Sequence, residues 1–159
     1  MFHPSLLLID DDPALREALS ATIQIHFPDV NVVVAGSEPE ALRVLNEHQF
    51  DLVICDLIMP GGGGGRLIPQ IRTRFPEIPV YLLTGCLYPE HMYRHVDATG
   101  FIKKPIDRQE FIDTLRRTFA CREQSKSVRE FTAAVKERAA AAAAHAETVK
   151  ARLESRLRP

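Results

Sequence analysis

Four aspartates stand directly after two short apolar segments of the 159-residue sequence. Asp10, Asp11 and Asp12 follow LLLI, and Asp56 follows LVIC. If two neighbouring parallel strands carry these acids at their carboxyl ends, the carboxylates meet in a single crevice. Like charges that close repel each other, and one carboxylate would have to take up a proton. A hard divalent cation with oxygen ligands removes that conflict, so the acids predict a Mg²⁺ site.

A carboxylate beside Mg²⁺ can attack phosphorus and form an aspartyl phosphate. The oxygens of the transferred group then need partners, and two later residues could supply them. Thr84 ends an apolar segment and offers a hydroxyl, while Lys104, next to Pro105, offers an ammonium. Lys103 is adjacent, and only one of the two lysines can reach the site, because successive strand residues point to opposite faces. These residues suggest phosphoryl chemistry centred on Asp56.

Each acid also has a plainer structural interpretation. Asp56 alone would be taken for a helix cap or a solvated loop acid, and the chemical interpretation depends on its combination with the other acids, Thr84 and Lys104. Asp12 is interpreted the other way. The chemistry needs only two acids in the first group, and an aspartate followed by Pro13 suits the N-cap of a helix.

The elements that must position these residues alternate along the chain. Short apolar segments predict five strands, at residues 6–9, 30–35, 51–55, 79–83 and 101–102. Longer segments with helical periodicity separate them and leave little room for hairpins. This alternation predicts an α/β fold, a doubly wound five-stranded parallel sheet with helices on both faces.

Local signals mark the starts of several helices. Asp12 opens the first, and Ser37 with Glu40 forms a capping box for the second. Pro69 is expected in the first turn of the third helix, where a missing N–H costs little. A short polar helix is predicted at about residues 89–95, and a stripe of apolar residues predicts a fifth helix over residues 111–119.

Composition and charge bound the class of protein. Hydrophobic residues make up 45% and charged residues 26% of the chain, as in ordinary soluble globular proteins. Up to Ala120 there are 11 Lys and Arg against 16 Asp and Glu, whereas from Cys121 onward there are 9 against 5. An acidic body therefore carries a basic tail, and we predict one domain at residues 1–120 and a helical tail or linker at 121–159.

The three cysteines, Cys55, Cys86 and Cys121, are odd in number and show no C-x-x-C spacing. This pattern argues against a disulfide framework or a structural zinc site. The start of the chain lacks a signal-peptide pattern, and no apolar run reaches the ~20 residues of a membrane span. We therefore expect a cytoplasmic protein.

The tail is rich in alanine and contains no Gly or Pro between residues 122 and 158, which predicts one helix about 55 Å long. It contains no internal turn, so it is not a helix-turn-helix reader, and no direct nucleic-acid binding is expected. Two alternatives stay open, a solvated helix or a helix that pairs with a second chain or connects to an output partner. Its apolar repeat is closer to 3.6 than to 3.5 residues, which weakens the coiled-coil alternative.

The motifs IDDD, CDLIMP, LLTG and FIKKP, in this order, resemble the receiver domain of two-component response regulators. The resemblance covers residues 5–120. It implies five parallel strands in the order 2-1-3-4-5 with five helices. It also implies that a sensor histidine kinase or a histidine phosphotransfer protein is the phosphoryl donor. Receivers are phosphorylation-activated switches rather than metabolic enzymes.

The resemblance also implies a role for each site residue. Asp56 is the expected phosphoacceptor. Asp11 is the expected direct ligand of Mg²⁺, with Asp10 acting mostly through water and the backbone carbonyl of Ile58 completing the metal shell. Lys104, the lysine that precedes proline, is the expected partner of a phosphoryl oxygen.

Two further residues are expected to report phosphorylation. Thr84 would bond the phosphoryl group and move toward it, and Phe101 falls at the aromatic switch position that turns inward when Thr84 moves. The family pattern then implies a response at the face of the fourth helix, fifth strand and fifth helix. A homodimer could form through that face or through the C-terminal helix.

Two other functions are consistent with parts of the pattern. A phosphatase resembling the haloacid dehalogenase family would also form an aspartyl phosphate, but it needs a second Asp where this chain has Ile58. A nucleotide- or flavin-binding module on a similar fold would need a glycine fingerprint. The run GGGGGR at residues 61–66 lacks the G-K-[ST] of a phosphate loop. Nothing in the sequence explains why five glycines are needed.

Overall fold

The apolar segments form a five-stranded parallel sheet in the computed structural model, which describes residues 3–86 and 96–157. The strands are β1 (Ser5–Ile9), β2 (Asn31–Ala35), β3 (Leu52–Asp56), β4 (Val80–Thr84) and β5 (Gly100–Lys103). They lie in the order β2-β1-β3-β4-β5, and every pair is parallel. The predicted doubly wound α/β fold and its strand order are confirmed.

The helices between the strands follow the predicted alternation. They are α1 (Pro13–His26), α2 (Glu38–Glu47), α3 (Gly64–Arg74) and α4 (Arg108–Leu157). Helix α4 corresponds to the predicted fifth helix together with the predicted tail helix. The short polar helix predicted at 89–95 lies outside the described residues.

The sheet separates two apolar layers, and β1 shows how one strand serves both. Leu6 and Leu8 pack in a cluster with residues of α1 and α4, whereas Leu7 and Ile9 pack in a second cluster with residues of α2 and α3. All four side chains are fully buried. Burying one such side chain contributes roughly 1.5–3 kcal/mol, so β1 is firmly held at the centre of the sheet. This strand therefore provides a rigid base for the residues that follow it.

The predicted caps at Asp12 and Ser37 are confirmed, whereas the Glu40 carboxylate of the predicted capping box accepts the N–H of Gly36 at 2.7 Å. Asp12 accepts hydrogen bonds from the N–H groups of Ala14 and Leu15, at 2.9 and 3.3 Å, and Ser37 accepts one from Glu40 at 3.4 Å. These contacts satisfy N–H groups that have no partner inside a helix.

The third helix begins earlier than predicted, at Gly64, so the expectation that Pro69 lies in its first turn is wrong. Pro69 is the sixth residue of α3 and lies within the helix. The prediction failed because the glycine run was interpreted as a loop. Its last two residues, Gly64 and Gly65, in fact belong to the helix.

The chain divides into two units, Met1–Ala120 and Cys121–Pro159. The first contains the sheet and both apolar clusters. In the second, the described residues are the continuation of α4 as far as Leu157. Across the described ranges, no helix combines the length and apolar character that a bilayer crossing requires.

Candidate functional site

The carboxyl ends of β1 and β3 lie side by side and bring three acids together. Ile9 pairs with Cys55, so Asp10 and Asp56 follow at the same edge of the sheet. Asp10, Asp11 and Asp56 each offer a carboxylate oxygen, and these oxygens all lie within 4.8 Å of one another. Asp10 and Asp56 are 46 positions apart in the sequence. They lie in one cluster because neighbouring parallel strands have their carboxyl ends at the same edge of the sheet.

Lys104 lies against this cluster. Its Nζ donates to Asp56 Oδ2 at 2.6 Å and to Asp10 Oδ2 at 2.9 Å. The backbone N–H of Lys104 donates to the carbonyl of Thr84 at 2.8 Å, which places the residue just beyond the paired part of β5. Lys103 is exposed. The ammonium that reaches the acids therefore belongs to the lysine that precedes proline.

Asp10, Asp11 and Asp12 have three different environments. Asp10 is fully buried, and its Oδ1 accepts the N–H of Asp12 at 2.8 Å. Asp11 is exposed, with its carboxylate at the cluster. Asp12 caps α1. Among the described residues, the acidic cluster consists of Asp10, Asp11 and Asp56 and does not include Asp12. The sequence-based separation of Asp12 from the other two acids is confirmed.

Burial and hydrogen bonding act in opposite directions on the pKa of the Asp56 carboxylate. Burial raises the pKa of Asp56, and the hydrogen bonds from Lys104 and from the N–H of Ile58, at 3.1 Å, only partly offset this effect. Burial on its own would lower the pKa of Lys104, but hydrogen bonds to Asp56 and Asp10 outweigh it and raise that pKa. The raised pKa of Lys104 means that the lysine holds its proton beside the two carboxylates.

Cys55 precedes Asp56 but faces the apolar layer under α2 and α3. Burial, followed by the charge of Asp56, raises the pKa of the Cys55 thiol far above its usual range. The thiol donates to the carbonyl of Asp56 at 3.2 Å. Because the thiolate is the nucleophilic form, Cys55 does not compete with the carboxylate for an electrophile.

The other predicted site residues differ in exposure and position, with Thr84 and Ile58 at the end of the sheet that carries the acids and Phe101 within β5 opposite Leu82. Thr84 is buried at the end of β4, and its Oγ1 accepts the N–H of Cys86 at 3.0 Å. The Ile58 side chain is 76% exposed, beside the backbone N–H that bonds Asp56. Phe101 is half-buried and packs against the cluster under α2 and α3.

The donor set fits Mg²⁺ rather than a softer metal. The described cluster offers carboxylate oxygens and contains no sulfur or imidazole ligand. Because their oxygens lie within 4.8 Å of one another, the three carboxylates are close enough together that they could hold one ion.

Two glycines allow the start of α3 to pack against the end of β3 and the residues that follow it. Gly63 has a φ of +67°, and a Cβ there would lie 2.4 Å from the carbonyl oxygen of Leu57. A Cβ on Gly64 would lie 2.5 Å from Leu82 Cδ2 and 3.2 Å from the carbonyl oxygen of Asp56. These contacts explain two of the five glycines. Sequence reasoning missed them because a uniform run gives no position a distinct signal.

The sequence did not predict a role for Arg16 either. Its Nη1 donates to the backbone carbonyl of Asp10. A basic residue one turn into the helix that the aspartate group opens is a weak signal, because its partner is a main-chain atom that no motif reveals.

Comparison with known proteins identifies similar chains. A family model described as the response regulator receiver domain matches residues 6–116. Response regulator protein FleR of Pseudomonas aeruginosa is 38% identical over 114 residues, which are 70% of this chain and 24% of FleR. Transcriptional regulatory protein GlrR of Escherichia coli is 37% identical over 105 residues, which are 65% of this chain and 23% of GlrR. The chain thus spans a minor part of these relatives.

Solved structures share the fold over nearly their whole length. Chemotaxis response regulator CheY4 of Vibrio cholerae superposes with a TM-score of 0.67 at 28% identity, covering 74% of this chain and 99% of CheY4. A CheY-like receiver domain protein of Methanospirillum hungatei superposes with a TM-score of 0.70, covering 78% and 99%. At 19% identity, this second likeness concerns the fold alone.

Proposed function

Because the chain belongs to the response regulator receiver family of two-component systems, we propose that it is a switch that accepts a phosphoryl group on Asp56 with the help of Mg²⁺. One observation carries the proposal. Three carboxylates have oxygens within 4.8 Å of one another, and the Lys104 ammonium bonds two of them. Receiver domains are signalling proteins, so we expect no catalysis beyond self-phosphorylation from small donors and self-dephosphorylation.

Receiver domains bind Mg²⁺ at their acidic pocket. In this chain Asp11 and Asp56 would hold the ion directly, Asp10 mostly through water, and the backbone carbonyl of Ile58 would complete the shell. The bound ion would neutralise the carboxylates and polarise the phosphoryl oxygens. The compact oxygen donor set supports this assignment.

The protein's own groups then perform the transfer. An oxygen of Asp56 forms the new O–P bond while the N–P bond of a donor phosphohistidine breaks, and the electron pair leaves with the donor imidazole. Lys104 is already charged and within hydrogen-bonding distance of Asp56, so it is preorganised to pair with a phosphoryl oxygen. The phosphohistidine would come from a sensor histidine kinase or a phosphotransfer protein.

Thr84 and Phe101 would convert the modification into a change of surface. Thr84 offers its hydroxyl at the end of β4, one residue beyond the Leu83 that pairs with Asp56. Movement of Thr84 toward the phosphoryl group would let the half-buried Phe101 turn further inward. Phe101 has no hydroxyl, so this switch works by packing alone.

The test is phosphorylation of the full chain by acetyl phosphate or phosphoramidate, followed by intact-protein mass spectrometry. The wild type should gain one phosphoryl group in Mg²⁺ and none in EDTA. Asp56→Asn should gain none. Asp51→Asn is the matched control, because Asp51 is a buried acid at the other end of β3 whose Oδ2 accepts the N–H of Ser5 at 3.0 Å. Equal labelling of wild type and Asp56→Asn would refute the proposal.

A phosphatase activity would distinguish the main alternative. Such an enzyme needs a second acid two residues after the nucleophile, and this chain places the exposed side chain of Ile58 there. We therefore expect no steady turnover of p-nitrophenyl phosphate. Sustained turnover that depends on Asp56 would favour the phosphatase.

Assembly is the last part of the proposal. Val128, Phe131 and Val135 of α4 are 64%, 71% and 49% exposed. Their spacing places them on one helical face, which supports pairing of activated chains through the C-terminal helix. Size-exclusion chromatography with light scattering, in Mg²⁺ and beryllofluoride, should show a dimer of the full chain and a monomer of Phe131→Ser. A dimer of that variant would assign pairing to the surface that includes β5 instead.

A further inference from the structure

Arg16 lies over a glycine and bonds the main chain of the acidic cluster. Its Nη1 donates to the carbonyl oxygen of Asp10, and the side chain is half-buried. A Cβ on Gly36 would lie 3.0, 3.2 and 3.3 Å from Nη1, Cζ and Nη2 of this guanidinium. Gly36, which directly follows β2, thus leaves the space in which the guanidinium lies.

The bonded carbonyl belongs to the peptide that joins Asp10 to Asp11. The carbonyl of Asp10 and the N–H and Cα of Asp11 belong to one planar peptide unit, so holding the oxygen limits rotation of the whole unit. The peptide on the other side of Asp11 is held as well, because the N–H of Asp12 donates to Asp10 Oδ1 at 2.8 Å. Asp11 is exposed, so side-chain packing does not fix its orientation. The two hydrogen bonds to the flanking peptides restrict the orientation of its backbone instead.

We propose that Arg16 is a positioning residue of the metal site. Its guanidinium, seated over Gly36, fixes the peptide between Asp10 and Asp11 and so aims the Asp11 carboxylate at Asp56. This inference rests on the proposed function, in which Asp11 and Asp56 share a Mg²⁺. It assigns Arg16 no contact with the ion or with the phosphoryl group.

The sign of the effect separates positioning from simple charge. Removing a cation near a metal site reduces electrostatic repulsion, so a pure charge effect of Arg16→Ala would tighten Mg²⁺ binding. Loss of positioning would weaken it, because the carboxylate must then be ordered when the ion binds. Removal of a group that orients a metal ligand typically costs 10–100-fold in affinity.

Isothermal titration calorimetry of the full chain with MgCl₂ tests the proposal. Arg16→Ala should bind Mg²⁺ about 10-fold more weakly than the wild type. Arg16→Lys should recover part of the loss, since an ammonium can reach the carbonyl with one donor. Arg43→Ala is the matched control, because it removes the same charge from an exposed ion pair with Glu47 and should leave affinity unchanged. Unchanged or tighter binding by Arg16→Ala overturns the inference.

A second variant changes Gly36, against which the guanidinium lies, instead of Arg16 itself. Gly36→Ala places a methyl group against the guanidinium and should weaken Mg²⁺ binding several-fold through displacement of Arg16. In an Arg16→Ala background the same change should have no further effect. Additive losses contradict the shared mechanism.

Two controls separate the outcomes. Urea unfolding in EDTA measures stability without the ion, and a lowered unfolding free energy with unchanged Mg²⁺ affinity would make Arg16 a purely structural residue. A wild type that binds Mg²⁺ while Arg16→Ala binds equally well refutes this inference and leaves the proposed function intact. A wild type that binds no Mg²⁺ refutes the proposed function itself.

Discussion

Asp11 and Asp12, which follow β1, have different environments. We therefore expect substitution of Asp12 to lower stability and substitution of Asp11 to remove Mg²⁺ binding. Asp12→Ala removes the side chain that accepts two N–H groups of α1, so the unfolding free energy should fall by about 0.5–2 kcal/mol. Asp11→Ala removes a carboxylate of the cluster and should abolish measurable Mg²⁺ binding. Urea unfolding in EDTA and calorimetric titration with Mg²⁺ measure the two effects.

The two substitutions are controls for each other, because both remove one negative charge. Asp12→Ala should keep most of its Mg²⁺ affinity. Asp11→Ala should be at least as stable as the wild type in EDTA, since it relieves repulsion among close carboxylates. Loss of Mg²⁺ affinity in Asp12→Ala to the same degree as in Asp11→Ala would mean that the assignment of cap and ligand is wrong.

Lys104 compensates two carboxylates, and its removal should make the protein depend on the ion. Lys104→Met leaves Asp10 and Asp56 without their ammonium partner, so the unfolding free energy in EDTA should fall by about 1–3 kcal/mol. Mg²⁺ should then stabilise the variant more than it stabilises the wild type, because the ion replaces the missing positive charge. Urea unfolding with and without saturating Mg²⁺ measures both quantities.

The neighbouring lysine supplies the control for this substitution. Lys103 is exposed, so Lys103→Met should change stability by no more than about 0.5 kcal/mol, with or without the ion. Equal Mg²⁺ stabilisation of Lys104→Met and wild type would contradict the compensating role of Lys104.

Single residues were predictable where their side chains carry the chemistry. Asp10, Asp11, Asp56 and Lys104 could be singled out because acids and a cation at strand ends suggest a site before any coordinates are known. Arg16 could not be found in this way. It acts on a main-chain carbonyl, and such a contact depends on how α1 is placed over β2 rather than on a pattern of residue types.

At the scale of elements, the glycine run gives the sharpest contrast. Gly64→Ala would press a methyl group onto the buried Leu82, so the unfolding free energy should fall by about 1–3 kcal/mol. Gly65→Ala meets nothing within 4 Å on an exposed helical position, so it should raise that free energy by about 0.5–1 kcal/mol. Urea unfolding of the two variants measures the difference. Equal destabilisation by both would show that the run acts only through its flexibility.

Strands were easier to predict from the sequence than the start of α3. Each buried strand is a short apolar segment, and every predicted strand end lies within one residue of the observed end. Asp56 and Thr84 lie one residue beyond the predicted apolar segments but belong to their strands, because a polar residue at a strand end still pairs with its neighbour. The start of α3 could not be predicted, since Gly64 and Gly65 enter the helix through packing rather than propensity.

At the scale of the molecule, charge and composition already separate an acidic body from a basic tail. The residues that fill the sheet's two layers end with Leu115 and Phe119 on α4, and both are buried. The described side chains from residue 127 to 145 are exposed. This distribution is consistent with the prediction that residues 1–120 form the domain that carries the site, and with the proposal that the tail serves assembly.

A chain ending at Ala120 should therefore fold and bind Mg²⁺ without the tail. Its unfolding free energy should lie within about 1 kcal/mol of that of the full chain, because the lost residues bury little apolar surface. A chain ending at Thr114 is the matched comparison, since it also loses Leu115 and Phe119 and should be destabilised by about 3–6 kcal/mol. Urea unfolding and Mg²⁺ titration of both chains decide the matter. If the chain that ends at Ala120 is as unstable as the chain that ends at Thr114, the tail belongs to the folded core of the domain rather than to a separate unit.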